Sequence, residues 1–465
     1  MATVMSNKPL ITRQWSDYID LLALHRLNPQ RYPFLLASTS TSQSSGGQDR
    51  YDILLGFAQQ RIELWPTGLR LHGLISDKSG FLSVLDEAWA DSSQNKIITT
   101  SELPFKGGWF LYLGYELAEE IEPTLRLLKD TDSDIPIAMA SRIPIAVVND
   151  RHKQQSWLVR ENGYEALLDE LIEDLDQLSI ETEGCLRFNA TLQEDAPEAF
   201  IQGVKRVREY IVEGDVFQVN LSRKWQGDQP QSISAPDLFS SLRKTNPAPF
   251  AGLLQFENAA IVSSSPERLV RVQQDKIETR PIAGTRPRGI DEQSDKSNLA
   301  ELIGHPKERA EHVMLIDLER NDLGRVCLPG TIKVNELMVL ESYAHVHHIV
   351  SNVQGSLRHD CTPGDVIHAV FPGGTITGCP KVRCMEIIAE LEQACRGPYT
   401  GSMGYLNHDG SMDLNILIRS IVIDKGQISF RAGAGLVADS IPDNELQETR
   451  AKAKGMLLSL QGDHA

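Results

Sequence analysis

Long apolar runs are missing from this sequence. No stretch of about 18 or more consecutive residues is both apolar and uncharged, and that is close to the minimum for a helix that crosses a membrane. The first residues, MATVMSNKPLITRQW, contain no apolar segment of the kind that a secretory signal peptide carries. We therefore expect neither a membrane span nor secretion.

Cysteine is scarce, and its spacing excludes the common zinc-binding patterns. The chain has 6 cysteines among 465 residues, and none lies in a CxxC pair or completes a zinc set with histidines. Such usage is typical of a reducing compartment, so the predicted location is the cytoplasm. The cysteines are Cys185, Cys327, Cys361, Cys379, Cys384 and Cys395.

Positive charge is also in deficit. The sequence has 46 Lys and Arg residues against 63 Asp and Glu residues, which gives a net charge of −17. Such a surface repels phosphate backbones and anionic lipid, so nucleic acids and membranes are not expected as partners. An anionic small substrate would need local positive charge or a metal ion.

The chain divides into two parts by pattern. Residues 1–160 mix short strands and helices and form a predicted N-terminal lobe, whereas residues 195–460 form long strand-rich runs with helices between them. An acidic helix and a polar stretch separate the two parts. Because helices and strands do not alternate strictly, the pattern predicts an α+β fold with large antiparallel sheets.

Two helical segments are predicted in detail. One has an apolar stripe on a single face and ends at Gly214. The other, KSNLAELIGHPKERAEHVMLIDLERND, is long and is expected to break near Pro306. The stripe of the first helix consists of Phe200, Val204, Val207 and Ile211.

Two pairs of glutamates have a spacing that suits a metal site. Glu308 and Glu311 are three residues apart, as are Glu445 and Glu448. Residues three apart share one face of a helix. Two such faces meeting across a cleft would surround one Mg²⁺ with oxygen ligands. Ordinary solvated helix faces are the alternative, because such pairs are common on surface helices.

Two glycine-rich segments could hold an anion. FPGGTITGCPK leads into a helix, where backbone N–H groups and the Thr375 and Thr377 hydroxyls are possible donors. It lacks the spacing of a nucleotide-binding P-loop, and a tight turn is the alternative. RAGAGLVADS is a predicted turn after a strand, in which Gly433 and Gly435 indicate an anion-binding backbone or, more commonly, a β-bulge.

Four single polar residues stand out. Arg419 is predicted inside an apolar strand, where it needs a partner, either a carboxylate ligand or an internal aspartate. Lys452 follows Glu448 by four residues, the spacing of a simple helical salt bridge. His348 is a natural acid or base at neutral pH but is more often structural. Glu267 follows a proline at a strand end, as a positioned acid or a surface turn residue.

Nine segments in a fixed order carry a family resemblance. Together they resemble the chorismate-utilising enzymes, strongly over residues 195–460 and more loosely over the N-terminal lobe. That family includes the large subunits of anthranilate synthase and aminodeoxychorismate synthase, and the isochorismate and salicylate synthases. The segments are SPER, RPIAGTRPRG, KERAEHVMLIDLERNDLGRV, HVHHIVS, FPGGTITGCPKVRCMEII, RGPYTGSMGY, IRS, AGAGLVADS and ELQET.

The resemblance implies a fold and a set of site residues. The implied fold is a sandwich of antiparallel sheets with flanking helices and an active site in the cleft. Glu267 would be the general acid or base, and His348 would lie near the departing hydroxyl. The implied Mg²⁺ ligands, which would also hold the ring carboxylate of chorismate through the metal, are Glu308, Glu311, Glu445 and Glu448. The implied substrate-binding residues are Thr375, Thr377, Tyr405, Arg419, Gly433, Gly435 and Lys452.

One residue indicates the nucleophile. Isochorismate and salicylate synthases carry a lysine at the position of Gln218, and a glutamine cannot deprotonate water. Ammonia is already nucleophilic, so the amino-transferring members of the family fit better. The sequence has no nucleophilic cysteine elbow of a glutaminase. Ammonia is therefore expected from solution or from a separate glutamine amidotransferase subunit.

The position of amination is less directly encoded. Ala283 matches anthranilate synthases, since many aminodeoxychorismate synthases have a lysine there. Ala37 and Arg50-Tyr51-Asp52 differ from the usual feedback pocket of anthranilate synthases, and the chain is shorter than those enzymes typically are. The sequence therefore favours synthesis of 4-amino-4-deoxychorismate, for para-aminobenzoate and folate. Anthranilate synthesis is the alternative.

Overall fold

A computed structural model describes most of the chain. The described residues are 10–38, 50–78, 80–93, 102–178, 189–289, 291–304, 306–342 and 346–461. In these ranges, no helix is both long enough and apolar enough to cross a membrane. The cytoplasmic location stays a prediction.

The helices of the described residues pack around two sheets. They are α1 (Leu21–Leu27), α2 (Phe81–Ser93), α3 (Ala118–Ile121), α4 (Glu165–Gln177), α5 (Pro197–Glu213), α6 (Ala235–Thr245), α7 (Glu292–Gly304), α8 (Pro306–Gly324), α9 (Pro363–Val370), α10 (Lys381–Glu392) and α11 (Pro442–Ser459). Short 3₁₀ turns lie at Tyr115–Leu117 and Gly374–Ile376.

Among the described residues, the first sheet has twelve strands, all paired antiparallel. In spatial order they are β1 (Ile11–Gln14), β10 (Gln155–Arg160), β9 (Ile145–Asp150), β3 (Tyr51–Gly56), β2 (Phe34–Ala37), β13 (Phe250–Gln255), β14 (Ala260–Ser265), β23 (Ser420–Asp424), β24 (Gln427–Leu436), β12 (Gln218–Asp228) and β11 (Gln193–Glu194), with β20 (Gly378–Cys379) also paired to β12.

In the part of the chain that the structure describes, the second sheet also has twelve antiparallel strands. Their order is β17 (Ile282–Pro287), β19 (Val346–Ser356), β16 (Lys276–Thr279), β15 (Arg268–Gln273), β22 (Met412–Asn415), β21 (Ser402–Asn407), β7 (Gly108–Leu113), β8 (Ala138–Ile143), β4 (Arg61–Trp65), β5 (Gly68–Leu71) and β6 (Leu74–Ile75), with β18 (Lys333–Ser342) paired to β19. The predicted α+β class with large antiparallel sheets is confirmed.

The two predicted parts of the chain share both sheets. In the first sheet β2 pairs with β13, and in the second β7 pairs with β21. The separating segment begins with α4, as predicted, and its residues 179–188 lie outside the described part of the chain. A functional division at this point stays a prediction.

Both detailed helix predictions are confirmed. Helix α5 buries Phe200, Val204 and Val207, and Gly214 ends it in the left-handed conformation, with φ 87°. The second segment splits into α7 and α8, and α8 begins at Pro306. Proline is tolerated in the first turn of a helix because the N–H that it lacks has no intrahelical partner there.

Two local predictions were wrong. Arg419 does not lie inside a strand but precedes β23, with φ 52°, so the chain turns there. Gly433 and Gly435 do not form a turn after a strand; they lie within β24 and pair with β12. In both cases the partner strand, which is distant in sequence, determines where the extended segment begins and ends.

The two sheets meet in an apolar core. Phe34 of β2 and Phe110 of β7 stack with ring centroids 4.0 Å apart and an interplanar angle of 5°. Both side chains are fully buried, and they belong to one cluster with residues of both sheets. This buried aromatic pair therefore packs N-terminal strands of one sheet against those of the other.

The first prediction concerns this stack. Phe110→Ala should lower the free energy of unfolding by about 3–5 kcal/mol, because it removes a buried ring and leaves a cavity between the sheets. Phe217→Ala, at a side chain that is 66% exposed, is the control and should change stability by at most about 0.5 kcal/mol. Urea unfolding measures both. Equal losses for the two variants would contradict the packing described.

Candidate active site

One cavity between the sheets gathers six of the predicted site residues. Its volume is about 160 Å³. Those six are Glu267, His348, Thr375, Arg419, Gly433 and Lys452. The remaining lining residues are Asn220, Pro266, Ile282, Ile376, Tyr399, Ile418, Arg431, Ala432 and Met456. We call this cavity the cleft.

Two places where the chain crosses between the sheets position the central residues of the cleft. Glu267 lies where the chain passes from β14 of the first sheet to β15 of the second. Arg419 lies where the chain returns from β22 of the second sheet to β23 of the first. Backbone hydrogen bonds join the crossings: Ser264 N donates to Arg419 O at 3.1 Å, and Ile416 N donates to Glu267 O at 3.0 Å. The acid and the guanidinium are therefore held side by side.

Glu267 is a buried carboxyl with an altered acidity. Glu267 is only 5% exposed. Burial raises its pKa to about 7, and the Thr375 hydroxyl and the Ile282 N–H oppose this rise. One carboxyl oxygen, Oε1, is buried without a hydrogen-bond partner. A pKa near neutrality suits a group that gives or takes a proton at physiological pH.

His348 has a different character. It lies in β19, fully enclosed, and burial together with the nearby Arg419 lowers its pKa to about 3. At neutral pH its ring is therefore uncharged. Such an imidazole orients a ligand by hydrogen bonding more readily than it donates a proton. Of the two predicted acid–base residues, Glu267 is the better matched to proton transfer.

Three basic side chains line the cleft, namely Arg419, Lys452 and Arg431, and the last of these is paired with Glu392 at 3.0 Å. Burial lowers the pKa of Arg419, and the neighbouring Glu267 opposes that shift. Over the described ranges no ion pair involves Arg419. Lys452 reaches across to donate to Gly433 O at 3.0 Å and pairs with Glu448 at 2.8 Å, so the predicted helical salt bridge is present. The cleft thus offers an arginine to an anionic ligand.

Glycines of β24 allow close packing against β12. A Cβ on Gly433 would lie 2.7 Å from the Tyr399 hydroxyl oxygen and 2.8 Å from Asn220 Oδ1. A Cβ on Gly435 would lie 2.4 Å from Gln218 Nε2. The side chains of β12 can therefore lie flat against this strand, and any larger residue would push them away.

Gln218 lies next to the cleft rather than in its lining. It opens β12, it is 7% exposed, and its Oε1 is buried without a hydrogen-bond partner. Asn220, on the same face of the strand two residues further on, lines the cleft. The amide therefore contributes a polar group beside the site and no base.

Three predicted substrate-binding residues, Thr377, Tyr405 and Gly435, lie outside the cleft lining. The Thr377 hydroxyl is buried and donates to Gly373 O at 2.9 Å, which closes the glycine-rich turn. Tyr405 lines another cavity of about 230 Å³, together with Ala37 and Tyr51. The tyrosine that reaches the cleft is Tyr399, which sequence reasoning missed. Both tyrosines lie in RGPYTGSMGY, and only the strand geometry distinguishes them.

Two of the four predicted metal ligands, Glu308 and Glu448, have basic partners in the structure. In the described part of the chain, no three His, Cys, Asp or Glu side chains come together as a metal-binding group. Glu308 Oε1 pairs with Arg286 Nη1 at 2.7 Å, while Glu308 Oε2 is buried without a hydrogen-bond partner. That open oxygen fits a cation, which would compete with Arg286 and, at Glu448, with Lys452. The full ligand set stays a prediction.

Comparison with known proteins assigns the chain and its fold to a family. Residues 33–458 match the chorismate binding enzyme family. An anthranilate synthase component I-like protein of Synechocystis sp. is 42% identical over 362 residues, covering 77% of this chain and 74% of that protein. Aminodeoxychorismate synthase component 1 of Bacillus subtilis is 42% identical over 379 residues, covering 78% and 79%.

A solved structure agrees. The crystal structure of anthranilate synthase component I from Streptococcus pneumoniae has a TM-score of 0.79 at 32% identity, covering 90% of this chain and 93% of that one. The chain therefore belongs to the chorismate binding enzyme family and is a chorismate-utilising enzyme. Enzymes of this family are generally Mg²⁺-dependent.

The second prediction concerns the pH dependence of stability. The pKa of Glu267 rises from 4.5 unfolded to about 7 folded, so its neutral form favours the folded state. The associated stability is full below pH 4.5 and is lost as the pH rises to about 7. The Glu267→Gln variant has no carboxyl group at this position and does not lose this stability. Between pH 4.5 and about 7, its free energy of unfolding should therefore rise by about 3 kcal/mol relative to that of the unaltered chain, at ~1.4 kcal/mol per pKa unit.

Urea unfolding at the two ends of that range measures the difference. Glu257→Gln, which removes one carboxylate at an exposed position, is the matched control. A constant difference between Glu267→Gln and the unaltered chain, or one that shrinks with rising pH, would show that Glu267 is not a buried neutral acid.

Proposed function

We propose that the chain transfers the nitrogen of ammonia to chorismate and forms 4-amino-4-deoxychorismate. The observation that carries this proposal is Gln218. Gln218 places an amide beside the cleft, whereas the resemblance implies that the hydroxylating members of the family carry a water-activating lysine at this position. Ammonia needs no such base. A separate glutamine amidotransferase subunit would supply it when glutamine is the nitrogen source.

The charge of the cleft supports an acidic substrate. Chorismate carries carboxylates, and Arg419 offers a guanidinium without an ion-pair partner over the described ranges. Lys452 adds a second cation, and Thr375 adds a hydroxyl. Arginine binds carboxylates through two parallel hydrogen bonds, so we assign Arg419 to one carboxylate and Lys452 to the same end of the cleft.

Loss of the substrate hydroxyl needs a proton. Glu267, with its pKa near 7, is the residue that we assign to deliver it. The neutral His348 ring would orient the departing hydroxyl by a hydrogen bond. Burial of both groups excludes bulk water from the proton transfer, which strengthens their interactions with the substrate.

A Mg²⁺ ion would be held by carboxylates of α8 and α11. Those carboxylates are Glu308, Glu311, Glu445 and Glu448. The buried, unpartnered Oε2 of Glu308 is the observation that supports a cation there. When bound, the ion would fix the ring carboxylate of the substrate and withdraw charge from the ring.

The position of amination depends on residues of two regions. Ala37 lines the cavity that also contains Tyr51 and Tyr405, where the feedback pocket of an anthranilate synthase is expected. The side chain of Ala37 has no carboxylate. That supports aminodeoxychorismate synthesis. Ala283, which is 9% exposed in β17, favours the alternative, anthranilate synthesis, because it has no amine for a covalent intermediate.

The third prediction is the product. Chorismate, Mg²⁺ and an ammonium salt should give para-aminobenzoate only when an aminodeoxychorismate lyase is added, since the chain itself stops at the amino intermediate. Fluorescent anthranilate formed without the lyase would assign the chain to the alternative. Ala283→Lys tests the discriminating residue. If it changes neither rate nor product, Ala283 has no part in the choice.

The nitrogen source follows from the same reasoning. The purified chain should use ammonium and not glutamine, because it has no glutaminase cysteine. Addition of a glutamine amidotransferase subunit should confer glutamine-dependent activity. Turnover of glutamine by the chain alone would contradict the proposed need for a separate glutamine amidotransferase subunit.

The fourth prediction concerns the metal. Glu448→Gln keeps the shape of the side chain but removes one charge from the proposed ligand set, so kcat should fall by about 10²-fold or more at limiting Mg²⁺. Calorimetry with Mg²⁺ should show weaker binding. Asp443→Asn, a change at an exposed position of the same helix, is the matched control and should retain normal kcat and normal Mg²⁺ binding. Normal turnover of Glu448→Gln at limiting Mg²⁺ would rule out this ligand.

A further inference from the structure

A second buried carboxyl, Glu319 of α8, has no part in the site described so far. Glu319 is 7% exposed, and Asp322, three residues further along the same helix face, is 1% exposed. Lys381, at the start of α10, pairs with Asp322 at 2.6 Å and also donates to Val370 O at 3.3 Å. Over the described ranges, no ion pair involves Glu319.

A carboxyl buried without its own cation keeps its proton at neutral pH. Its ionisation would place a charge in a low-dielectric interior, which is costly. Burial raises the pKa of Glu319, and the charges of Asp322 and Glu267 raise it further, while Lys381 and the Thr279 hydroxyl oppose the rise. The titratable groups that lie beside Asp322 also include Arg325 and Cys379.

The glycine-rich turn touches both Glu319 and Glu267. A Cβ on Gly374 would lie 3.4 Å from Glu319 Oε1, so this carboxyl lies against the backbone of the turn. The next residue, Thr375, lines the cleft and places its hydroxyl beside Glu267. Consecutive residues of one tight turn therefore contact the two carboxyls.

The segment between β16 and β17 does the same from the other side. Thr279, the last residue of β16, directs its hydroxyl to Glu319. Ile282, the first residue of β17, gives its N–H to Glu267. Because the same two segments hold both carboxyls, Glu319 and Glu267 are neighbours behind the cleft.

Two neighbouring buried carboxyls lose their protons one after the other. Like charges repel strongly in a buried space, so the first ionisation opposes the second. Arg419 and Lys452 lie on the cleft side of Glu267 and favour its carboxylate form. Glu267 is therefore the carboxyl that ionises first, and Glu319 is the one that stays neutral.

We propose that Glu319 is a positioning residue for proton transfer, which allows Glu267 to ionise by remaining neutral beside it. This inference rests on the proposed function and deepens it, because it assigns the group that controls the acid. Glu267 gives its proton to the departing hydroxyl as the C–O bond breaks and water leaves. The Glu267 carboxylate then takes a proton from the nitrogen that has bonded to the ring, and Glu319 keeps its proton throughout.

The pH dependence of turnover tests this role. With Mg²⁺, saturating chorismate and a constant concentration of free ammonia, kcat of the unaltered chain should fall above about pH 7, first as Glu267 and then as Glu319 loses its proton. The slope of log kcat against pH should approach about −2 at high pH, because both protons are needed. In Glu319→Gln the slope should approach about −1, since one titrating carboxyl remains.

The matched control makes the same change at an exposed position. Glu386→Gln lies in α10 and should keep the slope of the unaltered chain. Glu319→Met, which is uncharged and unbranched, repeats the test if Glu319→Gln does not fold. A slope that is the same with and without the Glu319 carboxyl would overturn the proposal. A fall of kcat by one factor at every pH would also overturn it, because that result describes a structural role only.

A measurement without substrate separates this proposal from the proposed function. At about pH 7, the infrared spectrum of Glu319→Gln should lack the band of one protonated carboxyl that the unaltered chain has. An unchanged band would show that Glu319 is not neutral and would overturn its role, whatever the turnover. Absence of ammonium-dependent turnover in the unaltered chain would instead overturn the proposed function.

Discussion

The cleft depends on two neighbouring crossings of the chain between the sheets. One crossing carries Glu267 and the other carries Arg419, and backbone hydrogen bonds between Ser264 and Arg419 and between Ile416 and Glu267 tie them together. A carboxyl and a guanidinium are thereby brought into the space between two sheets. The strands on each side of the crossings pack in apolar cores. These cores hold the crossings rigidly, because protein interiors are close-packed.

Burial then gives each group its chemical character. The same enclosed space raises the pKa of Glu267 and lowers those of His348 and Arg419, because a low-dielectric surrounding disfavours every charged form. A neutral histidine, a carboxyl that titrates near pH 7 and a cation open to a ligand follow from one cause. The proposed acid, the proposed orienting group and the proposed carboxylate site are thus consequences of enclosure.

Much of the architecture could be read from local patterns. The apolar stripe and terminal glycine of α5, the break at Pro306 and the antiparallel class depend on short-range chemistry, namely side-chain periodicity and the missing N–H of proline. Placement within strands was harder. Arg419 and the glycines of β24 were misplaced because hydrogen bonding to a distant strand decides where extended structure begins.

The sequence by itself determined which residue types are available: the carboxylate pairs, Arg419, Glu267 and the absence of a base at Gln218 are properties of the chain. Tertiary structure alone decided that Tyr399, and not Tyr405, reaches the cleft. Their motif contains both rings, and no local rule separates them. The reason is physical: the pairing of β21 with β7 turns Tyr405 toward another cavity, and strand pairing is set by residues far away in the chain.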